Sequence, residues 1–315
     1  MTVAGVRSSS STGIERYVRL LAGALAAEHV EYLCATEPVR GCDAHWHLAN
    51  SSRGVAWQAP RHRRPFVVTV HDVVPRTAVL ERAYARFVYP LVVERAVRII
   101  VHSSFAADLL AARSGVDVAR LDVVPHPAPP GPVLSRDEAR ALLGWDGGEL
   151  VAVLPGAARS VKLVGEALEA AAGTPWRLAL VGEPRDRGLV RRARESGACV
   201  LPSPDDATYQ RAFAAADCVL VLRRGSVGET NGPLLDALGA KRAVLATATG
   251  SIPEVADGAV ELCEPTVRSI RSGLLDLVDA MRRAELEELA GRRAAALDWA
   301  DSARAHRAIF EEVFG

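Results

Sequence analysis

Short apolar runs alternate with helical patterns along nearly the whole chain. In the first half, residues 3–6, 66–70, 99–102 and 120–125 read as strands, being short and mainly apolar or β-branched runs without the regular polar alternation of a half-exposed sheet. Residues 150–154, 176–181, 199–202, 218–222, 243–247 and 260–263 repeat the rhythm in the second half. Between them lie helical patterns, among them 16–27, 79–96, 104–113 and 163–172. Strands separated by helices predict parallel sheets covered on both faces, so the fold class is α/β.

The rhythm breaks once. Residues 126–132, His-Pro-Ala-Pro-Pro-Gly-Pro, carry four prolines and a glycine, which neither a helix nor a central strand tolerates. Immediately beyond, Ser135-Arg136-Asp137-Glu138 has the form of a capping box that starts a helix. The chain therefore divides into a Rossmann-like domain over 1–132 and a second over 133–298. The final stretch, 285–314, reads as one or two amphipathic helices, of which 299–315 is expected to pack back toward the first domain. Two such halves predict a cleft between them, and in open α/β sheets ligands sit at the carboxyl ends of the strands.

Composition narrows the function classes. The 315 residues hold 38 basic and 38 acidic side chains, and only 5% aromatics. A neutral balance with few aromatics argues against nucleic-acid binding. No apolar run is long enough for a membrane span and no charged leader opens the chain, so a cytoplasmic location is expected. The stretch Arg61-His62-Arg63-Arg64 is compatible with a solvated loop and with peripheral contact to an anionic acceptor or membrane surface. Five widely spaced cysteines without a CxxC pair read as structural thiols. His45 and His47 share one strand face, but no third ligand stands near them and no metal site is expected. The oligomeric state is left open.

Only two of the 38 basic residues are lysines, Lys162 and Lys241. Lys162 follows the strand 150–154 and the turn Pro155-Gly156-Ala157-Ala158-Arg159 and stands at the expected start of a helix, where a compact ammonium and free backbone N–H groups suit a phosphate. A solvated surface lysine is the other reading. A second turn, Arg223 to Asn231, leads into a helix beginning near Pro233. Its Thr230-Asn231-Gly232 approach leaves N–H groups facing outward, an arrangement able to hold a diphosphate. It is neither a Walker loop nor a GxGxxG fingerprint. Glu229 either stabilises the helix dipole or grips sugar hydroxyls, and Asp236 is either an exposed helical carboxylate or a ribose ligand. His71 ends the strand 66–70 and either donates to a sugar or phosphate or bonds a loop carbonyl. Ser8 to Gly13 forms a small-residue turn before a helix.

In their order, these segments resemble bacterial glycosyltransferase family 4, the group 1 glycosyltransferases. The resemblance rests on Gly13 to Tyr17, Thr69 to Pro75, Val101 to Leu110, Leu121 to His126, Gly156 to Lys162, Gly228 to Gly232, Leu235 to Gly239, Gly250 to Gly258 and the closing Trp299 helix. It implies a GT-B architecture, two Rossmann-like domains facing across a cleft. It also implies retaining transfer of a sugar from a nucleoside diphosphate donor to a small-molecule or glycan acceptor, with neither cofactor nor essential metal.

By position, Lys162 with a nearby arginine would neutralise the leaving diphosphate. Gly13 and Gly156 would let backbone approach the donor, His71 would face the donor sugar, and Glu229 would bind sugar hydroxyls. The amides of Thr230, Asn231 and Gly232 would hold the β-phosphate, and Asp236 would take the ribose role. The chain departs from the family pattern twice. Six residues separate Glu229 from Asp236 where the family has seven, and Ala157 and Ala158 stand where its arginine normally does, with Arg159 the nearest substitute. The departures keep two alternatives in view, a silent nucleotide-sugar-binding partner and a nucleotide-sugar epimerase.

Overall fold

The computed structural model describes residues 1–7, 12–49, 58–74 and 89–315. The serine run Ser8 to Ser11, Pro75 and most of the helical pattern over 79–96 lie outside them. Two compact units emerge. One comprises Met1–Pro127, Val227–Thr230 and Leu297–Gly315, the other Ala128–Ser226 and Asn231–Ala296.

The first unit is built on a six-stranded sheet of order β2-β1-β3-β4-β5-β6, with β1 Thr2–Val6, β2 Glu31–Ala35, β3 Asp43–Leu48, β4 Phe66–Val70, β5 Arg98–Val101 and β6 Leu121–Val123. All its pairings are parallel. One face packs Trp46, Phe66, Val68, Ile99 and Val101 under the helices Tyr89–Arg95 and Ser104–Ser114. The other face carries Val3, Val67 and Ile100 against Leu21 and Leu25 of the helix Thr12–Ala27 and Phe310 of the helix Trp299–Phe314.

The second unit has the order β12-β11-β10-β7-β8-β9, with β7 Leu150–Pro155, β8 Trp176–Gly182, β9 Cys199–Pro202, β10 Cys218–Val221, β11 Ala243–Thr247 and β12 Glu261–Cys263. Renumbered within the unit this is 3-2-1-4-5-6, the doubly wound order of dinucleotide-binding folds. All pairings are parallel, and the order in which successive strands are added reverses between β7 and β10. There the loops leave on opposite faces and open a crevice at the strand ends. The capping box is present: Ser135 takes the Glu138 N–H, and Glu138 Oε2 accepts the Ser135 N–H at 2.9 Å. A buried ion pair ties the helix Arg136–Leu143 to the start of β10, with Arg140 on Asp217, whose Oδ2 also accepts the Val151 N–H at 2.7 Å.

The observed elements depart from the expected ones in detail. β2 was not anticipated, because Glu31-Tyr-Leu-Cys-Ala35 is an edge strand with only one fully buried position and no continuous apolar run. The pattern over 285–314 resolves into two helices, Ala280–Ala296 and Trp299–Phe314.

Candidate active site

Lys162 does not open the helix that follows β7. It closes a single 3₁₀ turn, Ser160–Lys162, and the helix Val164–Ala171 begins beyond Leu163, whose φ is +53°. This left-handed residue reverses the chain, so the lysine points back over the strand end and its Nζ donates to the Pro155 carbonyl at 3.2 Å. It is half-buried. Gly156 makes the approach feasible. Its φ of +93° favours glycine, and a Cβ there would stand 2.6 Å from Lys162 Nζ. Gly182, at the end of β8, is needed for a like reason, since its Cβ would lie 2.2 Å from the Gly156 carbonyl oxygen.

The pocket above β7 and β10 is lined by Gly156, Lys162, Arg223, Asn231 and Pro233 over an apolar floor that includes Leu154 and Leu220. The helix Gly232–Gly239 starts at its rim, with Asn231 as N-cap and Pro233 in the first turn. The Asn231 side chain accepts the Leu234 N–H, and the remaining first-turn N–H groups stay at the positive end of the dipole.

Arg223 is the residue that sequence reasoning missed. β10 delivers Arg223 and Arg224 side by side, and the alternation of an extended chain sends them apart. Arg223 is buried and lines the pocket, while Arg224 is exposed and pairs with Glu166. The Arg223 N–H donates to Thr247 Oγ1 of β11 at 2.9 Å, and the Arg224 N–H donates to the Val161 carbonyl at 3.0 Å. The second bond pins the lysine turn to the exit of β10 and so brings Lys162 and Arg223 to one pocket. Arg159, the expected substitute for the missing arginine, is the N-cap of the 3₁₀ turn and is not among the lining residues.

Asp236 is buried at 9% exposure, against the reading of an exposed helical carboxylate, because its helix packs Leu234 to Leu238 inward on nearly every side. It does not line the pocket, nor does Gly232.

The other expected residues belong to the first unit. Gly13 is the exposed second residue of the helix Thr12–Ala27. Glu229 is buried, and its Oε2 accepts the Val227 N–H at 2.7 Å. Thr230 is half-buried. The Val227 carbonyl in turn accepts the N–H groups of Val73 and Val74, which holds the Glu229 segment against the loop that follows His71. His71 is 8% exposed, and its Nε2 meets His47 Nδ1 at 3.1 Å rather than a loop carbonyl.

His71 stands at the edge of a buried group of rings. Tyr17 packs edge-on or tilted against His47, His71, His102 and His126, and Tyr32 OH lies 2.7 Å from His45 Nδ1 and 2.8 Å from His47 Nε2. Burial pushes the imidazoles of His45, His47 and His71 well below their ordinary range and those of His102 and His306 down to about 4, so all five are neutral at pH 7. Among the described residues no three or more histidine, cysteine or carboxylate side chains, these imidazoles included, are arranged so as to hold a metal ion.

A family model described as Glycosyltransferase Family 4 matches residues 43–130. No curated protein sequence matches significantly. Among solved structures, sucrose-phosphate synthase from Thermosynechococcus elongatus superposes with a TM-score of 0.81 at 18% identity, over 100% of this chain and 99% of its own. WaaG, a glycosyltransferase involved in lipopolysaccharide biosynthesis, gives 0.71 at 16% identity, over 100% of both chains. Anabaena HepE in complex with UDP and glucose gives 0.75 at 14% identity, over 99% of this chain and 100% of its own. Likeness at this level of identity establishes the fold, the GT-B architecture of two Rossmann-like domains.

Proposed function

We propose that this chain is a glycosyltransferase that moves a sugar from a nucleoside diphosphate donor to a hydroxyl of a small-molecule or glycan acceptor, with retention at the anomeric carbon. The carrying observation is the pocket at the β7/β10 reversal, where Lys162 and Arg223 meet beside the Asn231-capped helix start. Two cations and a helix N-terminus form an anion site with charge and dipole aligned. The family match over 43–130 and the binding of UDP and glucose by HepE support a nucleotide sugar as the anion.

In this reading the bond between the sugar C1 and the β-phosphate oxygen breaks as the bond from C1 to the acceptor oxygen forms. The acceptor proton passes to the departing diphosphate. Negative charge grows on that phosphate while the sugar becomes cationic, so preorganised donors stabilise the transition state more than the bound substrate. Lys162 and Arg223 carry that stabilisation. Glu229 binds sugar hydroxyls and His71 donates to the sugar, the roles the family resemblance gives them. With two side-chain cations on the diphosphate, turnover needs neither cofactor nor divalent ion and persists in chelator.

The case for a silent binding partner rested on the absence of an arginine beside Gly156, on the shortened spacing from Glu229 to Asp236 and on the compact first domain, and the first of these has an answer. Arg223 provides a second cation from another strand and so favours the catalytic reading. The deciding experiment pairs a thermal-shift panel of UDP, GDP, dTDP and ADP with an assay of donor turnover. One nucleotide should raise the melting temperature. Its sugar conjugate should be consumed by the protein and not by folded Lys162→Ala. Binding without turnover across acceptors would reinstate the silent partner.

A further inference from the structure

Four hydrogen bonds link five buried groups of the first unit in one line. Thr69 Oγ1 lies 2.7 Å from His45 Nε2, His45 Nδ1 lies 2.7 Å from Tyr32 OH, Tyr32 OH lies 2.8 Å from His47 Nε2, and His47 Nδ1 lies 3.1 Å from His71 Nε2. The line exists because β2, β3 and β4 set these residues within reach of one another: His47 of β3 pairs in register with Thr69 of β4, and Tyr32 of β2 reaches across β1, whose Gly5 has no side chain to stop it. Each neutral imidazole carries one proton, each hydroxyl carries one, and each link needs one donor. Three arrangements give every link a donor, but in one of them Tyr32 accepts from both His45 and His47 and its own hydroxyl proton, in a buried side chain with no other partner among the described residues, is left without an acceptor, a cost that excludes it. The two that remain run in opposite directions.

One end decides between them. Thr69 is fully buried, and among the described residues its hydroxyl has a single partner, His45 Nε2. Were His45 to donate to Thr69, the hydroxyl proton would be buried without an acceptor, the costly outcome for a polar group. Thr69 therefore donates to His45 Nε2. His45 Nδ1–H then donates to Tyr32, Tyr32 O–H to His47 Nε2, and His47 Nδ1–H to His71 Nε2. The last proton of His71 must sit on Nδ1.

We infer that Thr69, His45, Tyr32 and His47 are positioning residues that fix His71 as its Nδ1–H tautomer, so that this histidine offers its ligand a hydrogen-bond donor and never an acceptor. Read with the proposed function, on which this clause rests, the ligand atom facing His71 is an oxygen lone pair of the donor sugar, and sugars lacking that oxygen are discriminated against.

The test is nitrogen-15 NMR of histidine-labelled protein at pH 7.5, with His71 assigned by its loss in His71→Gln. In the wild-type protein the Nδ1 of His71 should resonate as a protonated, pyrrole-type nitrogen and Nε2 as an unprotonated, pyridine-type one. In Thr69→Val, which removes the first donor and keeps the shape, the two resonances should move toward each other as both directions become populated. Tyr32→Phe, which cuts the line in the middle, should do the same. A wild-type His71 protonated on Nε2 overturns the inference, and so does a wild-type pattern that survives unchanged in both variants. No nucleotide sugar is needed for this readout, so it stands or falls separately from the transferase reading. Where that reading also holds, Thr69→Val should raise the donor KM by up to about tenfold, the worth of one hydrogen bond, with a smaller change in kcat.

Discussion

The ammonium of Lys162 occupies the space that a Cβ on Gly156 would need, 2.6 Å from its position. The backbone of Gly156 also sits at φ +93°, where an L side chain is strained. Gly156→Ala should therefore expel the lysine from the pocket as well as strain the turn. The expected result is a fall in donor turnover approaching that of Lys162→Ala, roughly 100- to 1,000-fold for loss of one preorganised donor. The strain should cost about 1–3 kcal/mol of stability. Steady-state kinetics and chemical denaturation of both variants check it. An active Gly156→Ala would show that the lysine works from another position.

Arg223 and Arg159 make opposite claims to the second cation. Arg223 lines the pocket from β10, whereas Arg159 caps the 3₁₀ turn and is not among the lining residues. Arg223→Ala should weaken binding of the nucleoside diphosphate by roughly 10- to 100-fold, the scale of a charge-assisted hydrogen bond. Arg159→Ala should change it by less than about threefold. Calorimetric titration of each variant with the preferred diphosphate measures the contrast, and equal losses would reassign the arginine role.

Asp217 illustrates a charge held for architecture. Its carboxylate pairs with Arg140 and accepts the Val151 N–H, while Arg140 also donates to the carbonyls of Ala215 and Gly147. Asp217→Ala would leave a guanidinium buried without its counter-ion, which costs about 3–5 kcal/mol. Urea denaturation should show a loss of that order. Replacing both partners with apolar residues should recover much of it.

Acid should weaken the first unit in a defined window. His102 and His306 are buried and held down at about 4, below the ordinary value of about 6.5 that they regain on unfolding. Between those values the unfolded chain binds protons that the folded chain refuses, so stability present above about pH 6.5 is lost as pH falls toward 4. Each imidazole contributes about 1.4 kcal/mol per pH unit across that interval. Urea midpoints should be level between pH 8 and 7 and clearly lower at pH 5. A midpoint that does not fall would mean these rings already carry protons when folded.

The strand rhythm was legible because strands buried on both faces leave unbroken apolar runs, as Phe66–Val70 does with all five residues buried. The edge strand Glu31–Ala35 left no such trace. Gly156 and Asn231 were legible because glycine turns and helix starts have local signatures, and Lys162 stood out by the rarity of lysine, although the helix expected to start at it begins beyond Leu163. Arg223 was not, since nothing local says which of two adjacent arginines at a strand end turns inward. The histidine line was invisible for a different reason. His45, His47, Thr69 and His71 become neighbours only through the parallel register of β3 on β4, a long-range pairing that no window along the sequence contains. The burial of Asp236 was not legible because it depends on what surrounds its helix on all sides and not on the helix itself.

The scarcity of lysine gives the chain a built-in reporter. Apart from the terminal amine, the sequence offers an acylating reagent two primary amines. One, Lys241, is exposed beyond the end of the helix Gly232–Gly239, and the other is half-buried in the pocket. A single peptide map of modified protein thus contains both the signal and its internal standard. Occupancy of the pocket can be followed as the ratio of the two labelled peptides, with no engineered tag and no knowledge of the acceptor.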